Sequence, residues 1–158
     1  MFAIIDIETT GLDPHIDKVC ELAVIWLDEH KQEIGRFQTL INPNVEISPE
    51  LTAIHGITNQ MVARAPVHGS VWDWLKPNLG SCIIVGYNVQ FDIRFLDQFW
   101  QPQIIDLLPW CRRTYKLPKY TLEWVAVHLG LASQSHRALA DCELCRDIFQ
   151  RAEGDITV

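Results

Sequence analysis

The chain has 158 residues, with 13 Lys and Arg against 20 Asp and Glu, for a formal charge of −7. That length fits one domain, 48% hydrophobic and 21% charged residues exclude disorder as the main state, and no apolar run approaches the roughly 20 residues of a membrane span. The acidity argues against a protein that coats nucleic acid through a basic surface, but not against an enzyme that reaches phosphates through bound cations.

In chain order, the apolar run at residues 2–5 reads as a buried strand ending at Asp6. Gly11-Leu-Asp-Pro14 is a turn cluster. Residues 19–27 and 35–41 read as two further strands joined by the polar connection 28–33, giving three antiparallel strands. Ser48-Pro49-Glu50 is a helix start, Thr58 opens a short turn, and 67–79 is a longer helix broken by Pro77-Asn78. Residues 81–87 form a strand and 89–100 a helical stripe with apolar positions 91, 95, 96 and 99. Ile104-Ile105 is too short to classify alone. Asp106 caps a helix to Tyr115, Thr121 opens one to Leu129 with Gly130 just past its end, and Arg137 opens the last, to Ala152. The order implies a single α/β domain over residues 1–152 with a mixed sheet, followed by a frayed tail at 153–158.

The opening Met-Phe-Ala-Ile-Ile-Asp has no basic n-region, so a cytoplasmic location is the expectation. Five cysteines, an odd number set mostly among apolar residues, fit reduced buried thiols; Cys142-x-x-Cys145 has no second pair to complete a zinc site. The six tryptophans sit mostly on apolar stripes and read as core more readily than as stacking platforms for bases. Glu21 inside a strand reads as a buried hydrogen-bonding acid. Arg137 is a partner for phosphate or carboxylate, and Arg112-Arg113 either meets phosphates or forms a solvated helix face.

The informative feature is where acids stand relative to apolar strands. Asp6 and Glu8 flank Ile7 and, with a period of two, point to one side of the chain. Alone, such a pair is more often a solvated strand end than a metal site. Asp92 begins a helix after the second apolar strand, near the carboxyl edge where α/β ligands bind. His136 precedes Asp141 by five residues, about 500° of helix, so the two converge only if His136 lies on the entering loop while Asp141 faces the core. Four carboxylates suit two hard divalent cations, which take oxygen ligands and can promote an in-line phosphoryl displacement. A histidine nearby can take the proton of the attacking water.

Asp6-Ile-Glu8-Thr-Thr-Gly-Leu12, Asn88-Val-Gln-Phe-Asp92 and His136-Arg-Ala-Leu-Ala-Asp141 resemble the three motifs of the DEDD exonuclease family, in its histidine subclass (DEDDh). Ala53-Ile-His55-Gly-Ile-Thr58 and Leu117-Pro-Lys-Tyr-Thr-Leu122 agree. The likeness runs from about residue 2 to 150, and the chain resembles the proofreading exonuclease subunits of bacterial replicative polymerases and related stand-alone 3′→5′ exonucleases. It implies a ribonuclease H-like mixed sheet, three antiparallel strands then parallel ones, flanked by helices. It also implies two Mg²⁺ or Mn²⁺ ions. Asp6 would bridge both, Glu8 and Asp141 would hold the one bearing the nucleophilic water, and Asp92 would support the other. His136 would be the general base. Thr9, Thr10, Gly11 and Leu12 would receive the terminal nucleotide, with His55, Asn88 and Phe91 lining the same pocket.

The implied activity is removal of nucleoside 5′-monophosphates from the 3′ end of DNA, the alternative being RNA 3′ ends. The implied partners are nucleic-acid 3′ ends, single-stranded or frayed DNA first, and a DNA polymerase in the proofreading branch. Tyr87 stands where many relatives have histidine, which bears on pocket shape. A catalytically idle binding subunit is the rival from another class; loss of any one of Asp6, Glu8, Asp92, His136 or Asp141 would have favoured it, and none is lost.

Overall fold

Strands β1 (Phe2–Thr9), β2 (Val19–Leu27) and β3 (Glu33–Leu40) form an antiparallel ladder, in a computed structural model that describes residues 1–131 and 135–152. The expected tail at 153–158 lies outside the described residues. Helices α1 (Pro49–His55), α2 (Asn59–Val62) and α3 (His68–Leu79) follow, then β4 (Ile83–Gly86), α4 (Gln90–Leu96), β5 (Ile104–Asp106), α5 (Leu107–Thr114), α6 (Leu122–His128) and α7 (Ala138–Arg151). The sheet order is β3-β2-β1-β4-β5, with β4 parallel to β1 and β5 parallel to β4. This is the mixed sheet that the sequence implies.

Each face of β1 builds its own core. Ala3, Ile5 and Ile7 pack with α3 and α4, while Ile4 packs with α5, α6 and α7. The apolar stripe of α7, with Cys142, Cys145, Ile148 and Phe149 all buried, lies across β1 and β2. Both thiols are free, and the Cys142 Sγ sits 3.6 Å from the Ala23 carbonyl oxygen. Trp72 and Trp110 are buried, Trp26 and Trp100 half-buried, and Trp74 and Trp124 exposed.

Several boundaries differ from the sequence reading. β1 does not stop before Asp6 but runs to Thr9, because β2 pairs with it throughout, Asp6 opposite Ala23 and Glu8 opposite Glu21. The acids therefore stand on a paired strand. Helix α3 is not broken at Pro77 but runs on to Leu79, with the Asn78 side chain donating to the Trp74 carbonyl at 2.6 Å. Helix α4 stops at Leu96 rather than Trp100, because Asp97 is extended and its carboxylate turns back to accept the Phe99 N–H at 2.9 Å. The two-residue step at Ile104 is the edge strand β5, held by parallel pairing to β4. Gly130, at φ +65, closes α6 as expected, with Gly130 N–H on the Val127 carbonyl and Leu131 N–H on the Ala126 carbonyl.

Candidate active site

Because Ile4 faces α7, alternation turns Asp6 and Glu8 toward α7 as well. Asp141, in the first turn of α7 and 3% exposed, enters the same space. One oxygen each of Asp6, Glu8 and Asp141 lies within 4.8 Å of the other two. Asp92 arrives from the head of α4, 4% exposed, and its Oδ1 accepts the Ile7 N–H at 3.1 Å. That N–H is available because β4 pairs with β1 only over Phe2–Ile4. Gly86 lets α4 start this close: a Cβ there would sit 2.9 Å from the Val89 side chain and 3.2 Å from the Ile5 carbonyl oxygen.

Three of these acids resist ionisation. Burial, and then the charges of Asp92, Asp141 and Glu8, raise the Asp6 carboxyl well above the usual range. Burial and the Asp141, Glu21 and Asp92 charges push Glu8 up to about 8, and burial raises Asp92 too. A divalent cation reverses that balance, since it favours the ionised form of every carboxylate beside it. The clustered donors are carboxylates alone, with neither thiol nor imidazole, which fits a hard ion such as Mg²⁺ or Mn²⁺.

Glu21 stands apart from this group although it faces Glu8 across the ladder. It is 0% exposed and accepts four hydrogen bonds: Arg137 Nε at 3.0 Å and a terminal Arg137 nitrogen at 2.5 Å, the Ala138 N–H at 3.0 Å, and Gln38 Nε2 at 2.9 Å. Burial works against its charge, but these bonds outweigh it and hold the carboxyl below its ordinary range. Arg137 is thus a carboxylate partner. The helix-capping residue of α7 carries no side-chain cap of its own, and Glu21 supplies one from β2. His136, at φ +50, lies on the loop entering α7 while Asp141 faces the core, the only arrangement in which their spacing converges. His136 is exposed.

His55 ends α1 and is 3% exposed; its Nδ1 accepts the Ile57 N–H at 3.0 Å, so Nε2 carries the proton of the neutral ring. Burial lowers its pKa, against an opposing interaction with the Thr9 backbone, and Nε2 is buried. Thr9, at the β1 irregularity, donates its hydroxyl to the Gly11 carbonyl at 2.5 Å. Thr10 is engaged with Lys18 through its N–H, at 2.8 Å, and through its hydroxyl, which accepts the Lys18 N–H at 3.0 Å. At Gly11 the Asp17 carboxylate fills the space of a Cβ, so a side chain there would have to displace it. Leu12 is 83% exposed. Phe91 is half-buried with its ring 4.9 Å from Phe95, and Asn88, at φ +60, donates its N–H to Asp106 Oδ1 at 2.9 Å. That second use of the Asp106 cap had no signal in the sequence beyond the cap itself. Tyr87 is half-buried and donates its hydroxyl to the Tyr120 carbonyl at 2.7 Å.

The RNase T-type exonuclease family model matches residues 3–149. The chain belongs to the DEDD exonuclease family. It is 34% identical over 95% of its length to the PolC-type DNA polymerase III of Thermotoga maritima, of which it spans only 12%. It is 28% identical to the DNA polymerase III epsilon subunit of Treponema pallidum, covering 94% of this chain and 74% of that protein. Among solved structures it resembles exonuclease X in complex with 5′-overhanging duplex DNA, with TM-score 0.80, 29% identity, 95% of this chain and 89% of the other. The fold is also that of exonuclease I, at TM-score 0.83 and 23% identity over 94% of this chain and 40% of the other. The mixed sheet is therefore ribonuclease H-like, and the domain is a nuclease hydrolase of a family that depends on divalent metals. No described helix is long and apolar enough to cross a membrane.

Proposed function

We propose that this domain is a 3′→5′ exonuclease of the histidine subclass that releases nucleoside 5′-monophosphates from DNA, using two Mg²⁺ or Mn²⁺ ions. The observation that carries this is the convergence of Asp6, Glu8 and Asp141 within 4.8 Å, with Asp92 fastened to the backbone between the first two. Asp6 would be shared by both ions, Glu8 and Asp141 would hold one, and Asp92 would support the other. When bound, the ions supply charge for the attacking and leaving oxygens of an in-line displacement. His136 takes the proton of the attacking water, and the Glu21 clamp on Arg137 fixes the backbone beside it. His55 Nε2–H, a buried donor, is offered to the terminal nucleotide beside Thr9, while exposed Leu12 and half-buried Phe91 provide apolar contacts to its base. Asn88 lines the same rim. Such a pocket closes over one nucleotide with a free 3′-hydroxyl but not over a continuing strand.

DNA is favoured over RNA by the kinship with polymerase proofreading domains and with exonuclease X. The work belongs in the cytoplasm, on single-stranded or frayed 3′ ends, alone or beside a DNA polymerase. The test uses 5′-labelled DNA and RNA oligomers of one sequence, with free or phosphate-blocked 3′ ends. Shortening by single nucleotides from free 3′ ends, faster on DNA, is expected. Internal cutting of a circular strand, or equal attack on blocked ends, would refute the polarity; faster attack on RNA would transfer the activity to RNA ends.

A further inference from the structure

The chain's positive charge is unevenly placed. Between Asp106 and Glu123 there are four cations, Arg112, Arg113, Lys116 and Lys119, and no acid; the rest of the chain has nine cations against 20 acids, a charge of −11. All four are exposed, and none enters an ion pair among the described residues. Cations elsewhere are largely committed. Arg36, Lys76, Arg137 and Arg146 are paired with acids, and Lys31 and Arg151 are spent on backbone carbonyls. Lys18, Arg64 and Arg94 are scattered singly along the chain.

The patch is built on a fixed scaffold at the side of the site. Helix α5 starts from Asp106, which pairs with Gly86 at the carboxyl edge of the sheet and also holds the Asn88 N–H. The loop after α5 is laced by the Tyr120 hydroxyl, which donates to the Tyr115 carbonyl at 2.7 Å and accepts the Leu117 N–H at 3.2 Å. Tyr87 ties that loop back to the edge through the Tyr120 carbonyl. Arg112 is close enough for its charge to act on the Tyr87 phenol, whose main influence is burial. Lys116 and Lys119 are thus borne on an ordered loop adjoining the strand end that leads into Asn88 and Asp92.

We infer that Arg112, Arg113, Lys116 and Lys119 form a phosphate track that holds the nucleic-acid strand upstream of the reacting 3′ end. This rests on the exonuclease reading and adds to it the surface that makes a long strand a better substrate than a mononucleotide ester. A polyphosphate strand suits four cations that enter no ion pair among the described residues and stand on a helix end and the loop that follows it, while the surrounding acidity repels the strand from other paths.

The experiment compares the native protein with the triple variant Arg113→Gln, Lys116→Gln, Lys119→Gln, all at exposed positions. Binding is read by anisotropy with a fluorescein-labelled, phosphorothioate-linked oligothymidylate, which resists hydrolysis. KM is read with the ordinary oligomer, and turnover of the terminal site with the p-nitrophenyl ester of thymidine 5′-monophosphate. Loss of three phosphate contacts should weaken oligomer binding about tenfold or more and flatten the slope of log affinity against log salt by about 2, at about 0.7 per contact on a single strand. KM for the oligomer should rise in step, with kcat and hydrolysis of the ester unchanged. An unchanged salt slope and oligomer affinity would overturn the track and leave the patch to an acidic protein partner. Absence of any turnover would overturn the exonuclease reading instead, because binding is measured without it.

Discussion

Asp6→Ala should abolish exonuclease activity, by at least about 10³-fold, more than the 10–100-fold usual for losing an outer-shell partner of a metal ligand. Asp6 is the central member of the acid group, acted on by Asp92, Asp141 and Glu8 alike. The same substitution should stabilise the metal-free protein. The folded-state carboxyls of Asp6, Glu8 and Asp92 are all raised, so between the ordinary carboxylate range and about pH 8 the native state binds more protons than the unfolded chain. Stability from these groups is therefore greatest at low pH and is lost as pH rises through that window. Removing Asp6 removes part of that loss. In excess chelator the variant should melt about 5 °C above the parent at pH 8, taking 2–4 °C per kcal/mol for a chain of this size, with the gap closing toward pH 5. Adding Mg²⁺ should raise the melting temperature of the parent and leave the variant nearly unmoved. A variant that melts lower than the parent at pH 8 would mean that Asp6 supports the fold.

Replacing His136 should separate turnover from binding. The residue occupies a left-handed backbone conformation at φ +50, where Asn is tolerated far better than Ala. His136→Asn therefore removes the imidazole without straining the loop that enters α7. The four carboxylates and the Glu21–Arg137 clamp remain in place, so metal affinity and oligomer KM should stay near the parent values. Only proton removal from the attacking water is impaired, a loss of about 10²–10⁴-fold in kcat. Near-parental kcat at neutral pH and saturating Mg²⁺ would exclude His136 as the base.

The acids were legible because chemistry forced them into patterns that sequence displays. Asp6 and Glu8 keep strand alternation, and the five-residue step from His136 to Asp141 converges only at a helix start. The position of Asp92 relative to them was not legible from spacing, since it depends on β4 ending its pairing at Ile4 and freeing the Ile7 N–H. Glu21 could be read as a buried acid, but its four donors come from residues 38, 137 and 138, which only the fold brings to one place. The extension of β1 through the acids was hidden because polar residues on an apolar strand look like its end. The continuity of α3 past Pro77 was hidden because Pro, with no N–H for the i−4 carbonyl, reads as a breaker anywhere beyond a first turn, whereas here the helix runs two residues past it.

Whether clustered carboxylates holding divalent cations perform 3′-directed hydrolysis can be read from one time course. A DNA oligomer labelled at its 5′ end is incubated with Mg²⁺, with excess EDTA, and with EDTA followed by excess Mg²⁺, and the products are resolved by length. A single-nucleotide ladder is expected in Mg²⁺, intact oligomer in EDTA, and the same ladder again once Mg²⁺ is restored. A ladder that persists in excess EDTA would contradict hydrolysis by bound cations.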